Sequence, residues 1–234
     1  MTPRFPPLLS GQAAEPGADP FEKARAMAAL GCDGGTVVHG CDPEALRAAV
    51  VFAPEVALLQ ALAMWPICGI GLQNALGALA PPEVAVHLGW SGGVWVNGAR
   101  CGGLRMAAAG RDPQAVPDWL VVGLEIPFRW AEAAPGRDPT RTVLAEEGCA
   151  GITPEALLES WTRHMLVWIN RWSEAGNAPI HAQWLGLLRG VGDAAEAGGR
   201  RGTFLGLDAD FGMLLRDGAA THLVPLTACL EEVT

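Results

Sequence analysis

The residues with the clearest potential for chemistry lie in one stretch, 87–104, which the sequence predicts to be a glycine-rich β-hairpin. Apolar residues alternate on both sides of it, and Asn97-Gly98 is a strong hairpin signal because both turn positions tolerate positive φ. Gly102 and Gly103 lack side chains, so a backbone or a ligand can approach them closely. We therefore predict a ligand-facing hairpin. The residues expected to contact the ligand are His87, Trp90, Asn97, Gly102 and Gly103.

The six cysteines are the next candidates, and their spacing excludes the common metal motifs. They lie far apart in the chain, with no CxxC pair and no histidine at metal-ligand spacing. In a chain without a secretory signal, such cysteines are typical of reduced thiols, several of them buried as small apolar side chains. We predict no metal site.

Composition limits the class of partner. The net charge is −9, whereas nucleic-acid binding requires clustered cations. Half of the residues are apolar, but no run of about 18 is free of polar residues or prolines, which argues against a membrane span. The first residues contain no apolar core of a signal peptide. We expect a cytoplasmic protein that binds neither nucleic acid nor membrane.

The elements that must position the hairpin follow from capping and periodicity. Asp19-Pro20 and Thr153-Pro154 are helix starts, because Asp and Thr cap well and Pro suits the first turn. Residues 1–19 are expected to lie along the surface, and 131–141 to form a loop. Residues 34–39 are predicted to be a turn and a short strand, 42–46 a second turn, and 48–53 and 118–126 strands. The predicted helices begin at 20, at 55 (buried, ending near 80) and at 154.

The best candidate for a linker is Gly176-Asn177-Ala178-Pro179. After it, short strands alternate with turns, and Asp217-Gly218 is a further hairpin signal. A small β-barrel fits this spacing. The sequence thus predicts an α+β protein with a mixed-sheet domain over 1–178 and a small barrel over 179–234.

The order of these pieces resembles the biotin/lipoate protein ligase family over almost the whole chain. Gly35-Thr36-Val37-Val38 is similar to the strand that precedes the family's phosphate loop. Residues 90–104 fall in register with its Lys-Trp-Pro-Asn-Asp stretch, 122–126 with its Gly-Ile-Gly-Ile-Asn strand, and 203–215 with its SH3-like barrel. The resemblance implies a mixed sheet with helices and a C-terminal SH3-like barrel. If the family activity is retained, the resemblance also implies ATP and either biotin or lipoate as ligands. An acceptor protein would then be the partner.

The departures from the family pattern fall on its cations. The family's Gly-Arg-Gly-Arg loop is replaced by His39-Gly40-Cys41-Asp42, and its two hairpin lysines by Gly89 and Arg100. Lys23 is the only lysine, so fifteen of the sixteen cationic residues are arginines. An arginine keeps the charge of a lysine but presents a planar, bulkier fork. The usual means of holding an acyl-adenylate is therefore altered.

Three hypotheses follow. In the first, the pocket binds a small carboxylate or a nucleotide without standard ligase activity, through Arg100 and Arg105 and through Gly35, His39 and Gly40 near the loop. In the second, the protein is an active biotin, lipoate or octanoate ligase or an acyltransferase with a rearranged site. By resemblance to lipoyl-pathway relatives, Cys101 or Cys149 would then be the nucleophile, with His39 or His87 as base. In the third, the chain is a non-catalytic interaction module.

Overall fold

A computed structural model of the chain describes residues 2–130 and 138–232, and its larger element is a seven-stranded sheet. The strand order is β1-β2-β3-β7-β6-β5-β4. The β1–β2 pair is parallel and the other pairs are antiparallel. The strands are β1 (Ser10–Ala13), β2 (Thr36–Cys41), β3 (Ala45–Phe52), β4 (Val86–Leu88), β5 (Gly93–Val96), β6 (Ala99–Ala108) and β7 (Leu120–Pro127).

Helices cover both faces of this sheet, and the strands alternate their side chains between the two. Val37, for example, belongs to the main core with the helices α3 and α4, whereas Val38 packs with α1. The α1 face is covered over only part of its area, which leaves an open region beyond this helix. The helices are α1 (Pro20–Ala29), α2 (Leu58–Ala61), α3 (Met64–Leu79), α4 (Pro154–Ala175) and α5 (Asn177–Leu187).

The caps that predicted the helix starts are present. The Asp19 carboxylate accepts a hydrogen bond from the Phe21 N–H at 2.9 Å, and Pro20 is the first residue of α1. Thr153 accepts from the Ala156 N–H at 3.2 Å before α4. These side chains satisfy backbone donors that have no partner within the helix. Both predicted helices are confirmed.

The predicted buried helix over 55–80 is present as α2 and α3, with Pro66 in the first turn of α3. The stretch Leu58–Leu79 is long and apolar enough to cross a membrane by length and composition. However, 72% of its most apolar window is buried inside the structure, as in a core helix. Trp161 of α4 packs against it and donates its indole N–H to the Cys68 carbonyl at 2.9 Å.

Three local predictions need correction. Residues 1–19 do not only lie along the surface, since Ser10–Ala13 pairs with β2. The turn before β3 is shorter than expected, because Ala45 already belongs to the strand. The predicted linker at 176–179 is the junction into α5, with Gly176 at φ 66°. Of the predicted loop 131–141, residues 131–137 lie outside the described chain.

The C-terminal part is a four-stranded antiparallel sheet in the order β11-β10-β9-β8. The hairpin predicted at Asp217-Gly218 is confirmed, because Asp217 pairs with Ala220. The α+β class with a small C-terminal β-unit is also confirmed; within the described residues the unit's sheet has two unpaired edges. The boundary at residue 178 stays a prediction. The strands are β8 (Ala194–Ala197), β9 (Arg200–Leu207), β10 (Met213–Asp217) and β11 (Ala220–Val224).

Candidate functional site

A single row of residues crosses the open part of the α1 face, and three of its five members are glycines. In order across five strands the row is Gly40, Arg47, Glu125, Gly103 and Gly93. At the usual spacing of strands it extends about 19 Å. Because paired residues direct their side chains to the same face, Gly40 and Gly103 leave bare backbone on either side of the central Arg47–Glu125 pair. We call this row the glycine trough.

The charged residues of the glycine trough are half-exposed and paired with each other. The Arg47 guanidinium donates to the Glu125 carboxylate at 3.0 Å and to the Asp42 carboxylate at 3.1 Å. The Arg47 side chain is 44% exposed. Ion pairs this exposed contribute little stability and exchange readily with solutes. They are therefore available to a competing anion.

The β5 end of the glycine trough is bounded by Trp95. The benzo edge of its indole lies over Gly89 and Gly93, where a side chain at either position would collide with it. The Arg100 guanidinium lies 5.8 Å from the Trp95 ring, and that of Arg189 5.6 Å from it. An Arg100 nitrogen is also 3.7 Å from the position a Gly103 side chain would occupy. Arg100 therefore extends along the floor of the trough.

Within 2–130 and 138–232 the Arg100 guanidinium has neither an ion pair nor a hydrogen bond, whereas Arg47 and Arg105 pair with carboxylates and Arg189 donates to the Gly98 carbonyl. Its backbone binds the segment after the undescribed residues, with its N–H donating to the Thr140 carbonyl at 2.7 Å and its carbonyl accepting from Thr142 at 2.9 Å. The side chain is exposed. The backbone of Arg100 is thus fixed, while its guanidinium has no charged partner in the described part of the chain.

At the β2 end the glycine trough opens into a cleft of about 550 Å³, the outer cleft. Its walls are the segment 14–20 before α1 and the loop between β2 and β3. The loop is shaped by Asp42, whose carboxylate accepts from the N–H groups of Glu44 at 2.9 Å and Ala45 at 2.7 Å. This is the position of the basic phosphate loop in the resemblance, and here it is organised by an acid.

Arg105 lies one row deeper on the same face, but its guanidinium is occupied. It contacts the carboxylates of Asp19 at 2.6 Å, Glu22 at 2.8 Å and Glu231 at 2.8 Å. Hydrogen bonding to Glu231 is the main reason that the pKa of Arg105 is raised. The ligand contact at Arg105 stays a prediction, whereas in the structure this arginine joins α1 and the C-terminal segment to β6.

The predicted nucleophiles lie on the opposite, apolar face. Cys101 and Cys149 are both buried. Burial raises the pKa of the Cys101 thiol to about 12, and it also raises the pKa of Cys149. Their thiols donate to the carbonyls of Pro127 at 3.8 Å and Glu147 at 3.6 Å, and neither contacts a histidine in the described chain. Both are therefore protonated thiols at neutral pH, which does not favour nucleophilic attack.

The two predicted bases are separated from these thiols. His39 lies on the apolar face of β2, with its ring 5.7 Å from that of Phe5, and burial lowers its pKa. Its closest sulfur is that of Cys41, at 3.9 Å. His87 is exposed on β4 and pairs with Trp95, next to the glycine trough. The structure therefore brings His87, Gly40, Gly103 and Arg100 to one face, and not His39.

The remaining predicted contacts have structural roles. Trp90 is buried and donates its indole N–H to the Phe211 carbonyl at 2.7 Å, which connects the two sheets. Asn97 has φ 49° in the hairpin turn and binds the Glu147 carboxylate at 2.8 Å. Gly102 and Gly35 have positive φ and lie against the carbonyls of Glu125 and Leu8. Their ligand contacts stay predictions, whereas in the structure these four residues shape the backbone and the core.

Sequence reasoning missed Arg47, Glu125 and Trp95. The available signal was the isolated charge inside an apolar run, as in Leu46-Arg47-Ala48 and Leu124-Glu125-Ile126. A charged residue at one position of a buried strand indicates an opening in the layer that covers it. Within the described residues no group of three or more His, Cys, Asp or Glu side chains is arranged to hold a metal ion.

A sequence profile of the biotin/lipoate A/B protein ligase family matches residues 5–186. The chain belongs to this family. Residues 191–232 match a separate domain of unknown function, DUF4444. A comparison with curated protein sequences gives no match.

Solved structures agree with this assignment. The chain is similar to a biotin protein ligase-like protein of unknown function from Silicibacter sp. TM1040, with 57% identity and a TM-score of 0.93 over 99% of this chain and 100% of that one. It shares the fold of the biotin protein ligase of Aquifex aeolicus, with 15% identity, a TM-score of 0.69 and coverage of 93% and 94%. The structure of the same enzyme in complex with biotin and ATP has 14% identity to this chain and a TM-score of 0.67, and the match covers 93% of this chain and 94% of that one.

Proposed function

We propose that this family member binds a small carboxylate in the glycine trough and lacks the standard ATP-dependent ligase reaction. The observation that supports this most directly is the bare floor at Gly103 beside the guanidinium of Arg100, which has no ion pair within the described residues. A guanidinium fork binds a carboxylate through two parallel hydrogen bonds, which gives both strength and orientation. Arg47 provides a second such group at the other side of Glu125.

The absence of adenylation is proposed from the distribution of cations. Forming an acyl-adenylate requires preorganised positive charge at the phosphates. The Aquifex ligase that shares this fold binds biotin and ATP. In our chain the loop carries Asp42 against Arg47, and the single lysine is held on α1 by the Glu15 carboxylate at 2.9 Å and by the Ala13 carbonyl at 3.2 Å. Lys23 is thus already engaged.

The test has a binding arm and a reaction arm. In the first, propionate is titrated against the protein by ligand-detected NMR. Arg100→Gln should weaken binding by about tenfold, the loss of one charged hydrogen-bonded contact. The matched control is Arg200→Gln, an exposed arginine on β9 in the other sheet. Equal weakening in both variants would show non-specific attraction and contradict the assignment.

In the reaction arm, pyrophosphate release is measured with ATP and each of biotin, lipoate and octanoate. We expect none above the rate without the acid. Robust release with any of the three would contradict the proposal and favour an active ligase. ATP binding without release would instead favour a nucleotide as the ligand of this site.

A further inference from the structure

The glycine trough has a deep side, beneath the first turn of α1, and it is filled. One row inward, Gly123 of β7 lies between Arg105 of β6 and Ala49 of β3. An absent side chain beside a small one leaves a hollow in the middle of the sheet. The ring of Phe21 occupies it, 2.5 Å from where a side chain on Gly123 would begin. Phe21 is 3% exposed.

Little space remains around this ring. The cleft bordered by Phe21, Gly123, Arg105 and Arg47 measures about 20 Å³, compared with about 550 Å³ for the outer cleft beside it. The smaller value corresponds to roughly one water molecule. The Phe21 ring therefore blocks a ligand that is bound through Arg47 or Arg100 from extending under α1.

Phe21 is also held firmly in this position. It follows Asp19 and Pro20, the cap and first residue of α1, so the backbone that carries it is fixed. The Arg105 guanidinium lies 4.3 Å from the Phe21 ring. Arg105 is in turn held by carboxylates from α1 and from the C-terminal segment. Moving the ring would require breaking this charge cluster.

We infer that Phe21 is a specificity-determining residue that closes the deep side of the glycine trough, so that the site accepts a short polar carboxylate and excludes a long acyl chain or a fused ring system. The inference rests on the proposed function, since it specifies the class of carboxylate. The apolar hollow at Gly123 would suit a hydrocarbon tail if it were open. With the ring in place, a ligand reaches the floor at Gly40 and Gly103 and the polar outer cleft, but not the apolar hollow.

The experiment compares octanoate with propionate on the wild type, Phe21→Ala and Phe21→Leu, by ligand-detected NMR. Opening the hollow should strengthen octanoate binding at least about tenfold in Phe21→Ala and less in Phe21→Leu, because the tail gains apolar contact. The ratio of octanoate affinity to propionate affinity should therefore rise, because propionate is too short to reach the hollow. The control is Phe204→Ala, which removes a buried ring of β9 in the second sheet. It should show no gain, although it also creates a cavity.

Each outcome decides between the claims. Octanoate binding to the wild type as tight as to Phe21→Ala overturns the role of Phe21 but leaves a carboxylate site. A folded Phe21→Ala protein, verified by circular dichroism, that shows no gain also overturns it. A gain in octanoate binding with no propionate binding to any variant supports the closure and contradicts the proposed function. If Phe21→Ala does not fold, the direction of the change in Phe21→Leu decides.

Discussion

The two faces of the seven-stranded sheet are built by the same strands but have different surroundings. On the α3–α4 face, side chains such as Val37, Leu46 and Leu124 are buried in one apolar core. On the other face, the helix α1 begins beside Arg47 and Glu125 and does not cover them, so both are exposed. A charge between buried strand residues is tolerated only where no layer covers it. The uncovered region is where we propose the ligand site.

The largest effect that separates the two faces is on stability. Trp161→Ala removes a fully buried ring from the α3–α4 face and should lower the free energy of unfolding by about 3–5 kcal/mol. Arg47→Ala breaks two exposed ion pairs on the other face and should cost about 1 kcal/mol or less. Urea unfolding measures both. Similar losses would show that the α1 face is also a structural core.

The next effect is on binding. Gly103→Ala places a methyl group on the floor of the glycine trough, 3.7 Å from an Arg100 nitrogen and 3.0 Å from the Gly92 carbonyl oxygen. The close contact with Gly92 should lower the free energy of unfolding by about 1–3 kcal/mol. Propionate binding should be lost, because the methyl group lies beside the Arg100 guanidinium. Retained binding in a folded Gly103→Ala protein would place the ligand elsewhere.

Thiol reactivity provides a smaller contrast. Cys101 is buried on the apolar face and its pKa is raised to about 12, whereas Cys32 is partly exposed. Iodoacetamide at pH 8 should therefore modify Cys32 well before Cys101, as followed by peptide mass spectrometry. Fast modification of Cys101 in the folded protein would revive the hypothesis of a cysteine nucleophile.

The smallest expected effect is the pH dependence from His39. Because burial holds its folded pKa below the ordinary value near 6.5, the unfolded chain takes up a proton first as the pH falls. His39 therefore lowers stability as the pH falls through that value towards its folded pKa, and has no such effect above it. His39→Gln should reduce the loss of unfolding free energy between pH 7.5 and pH 5.5. An unchanged loss in urea titrations would assign it to other groups.

Local signals predicted the elements whose cause is local. Asp19 and Thr153 identified two helices because a cap acts within one turn, and Asn97-Gly98 identified its hairpin because its backbone angles select these residues. The start of α5 was missed because its local signal is ambiguous. Gly176 and Pro179 indicate a break, and proline in the first turn of a helix gives the same signal as proline in a linker.

The candidate site depends on register, which the sequence does not contain. Gly40, Arg47, Glu125, Gly103 and Gly93 are adjacent only because four strand pairs align them. A shift of one residue in any pair would turn one strand's side chains to the other face. Arg100 and Gly103 could be chosen from the hairpin alone, whereas Arg47 and Glu125 are brought to it by strands distant in sequence.

The most direct test of the central claim is the indole N–H resonance of Trp95 in a titration with propionate. This N–H has no partner in the described residues, and its ring lies beside Arg100, so a carboxylate bound there should shift its signal. The N–H groups of Trp90 and Trp161 are bonded to core carbonyls and act as internal references. Assignment follows from Trp95→Phe. A saturable shift of the Trp95 signal alone is the expected result, and an unmoved Trp95 signal at saturating propionate would contradict a carboxylate site in the glycine trough.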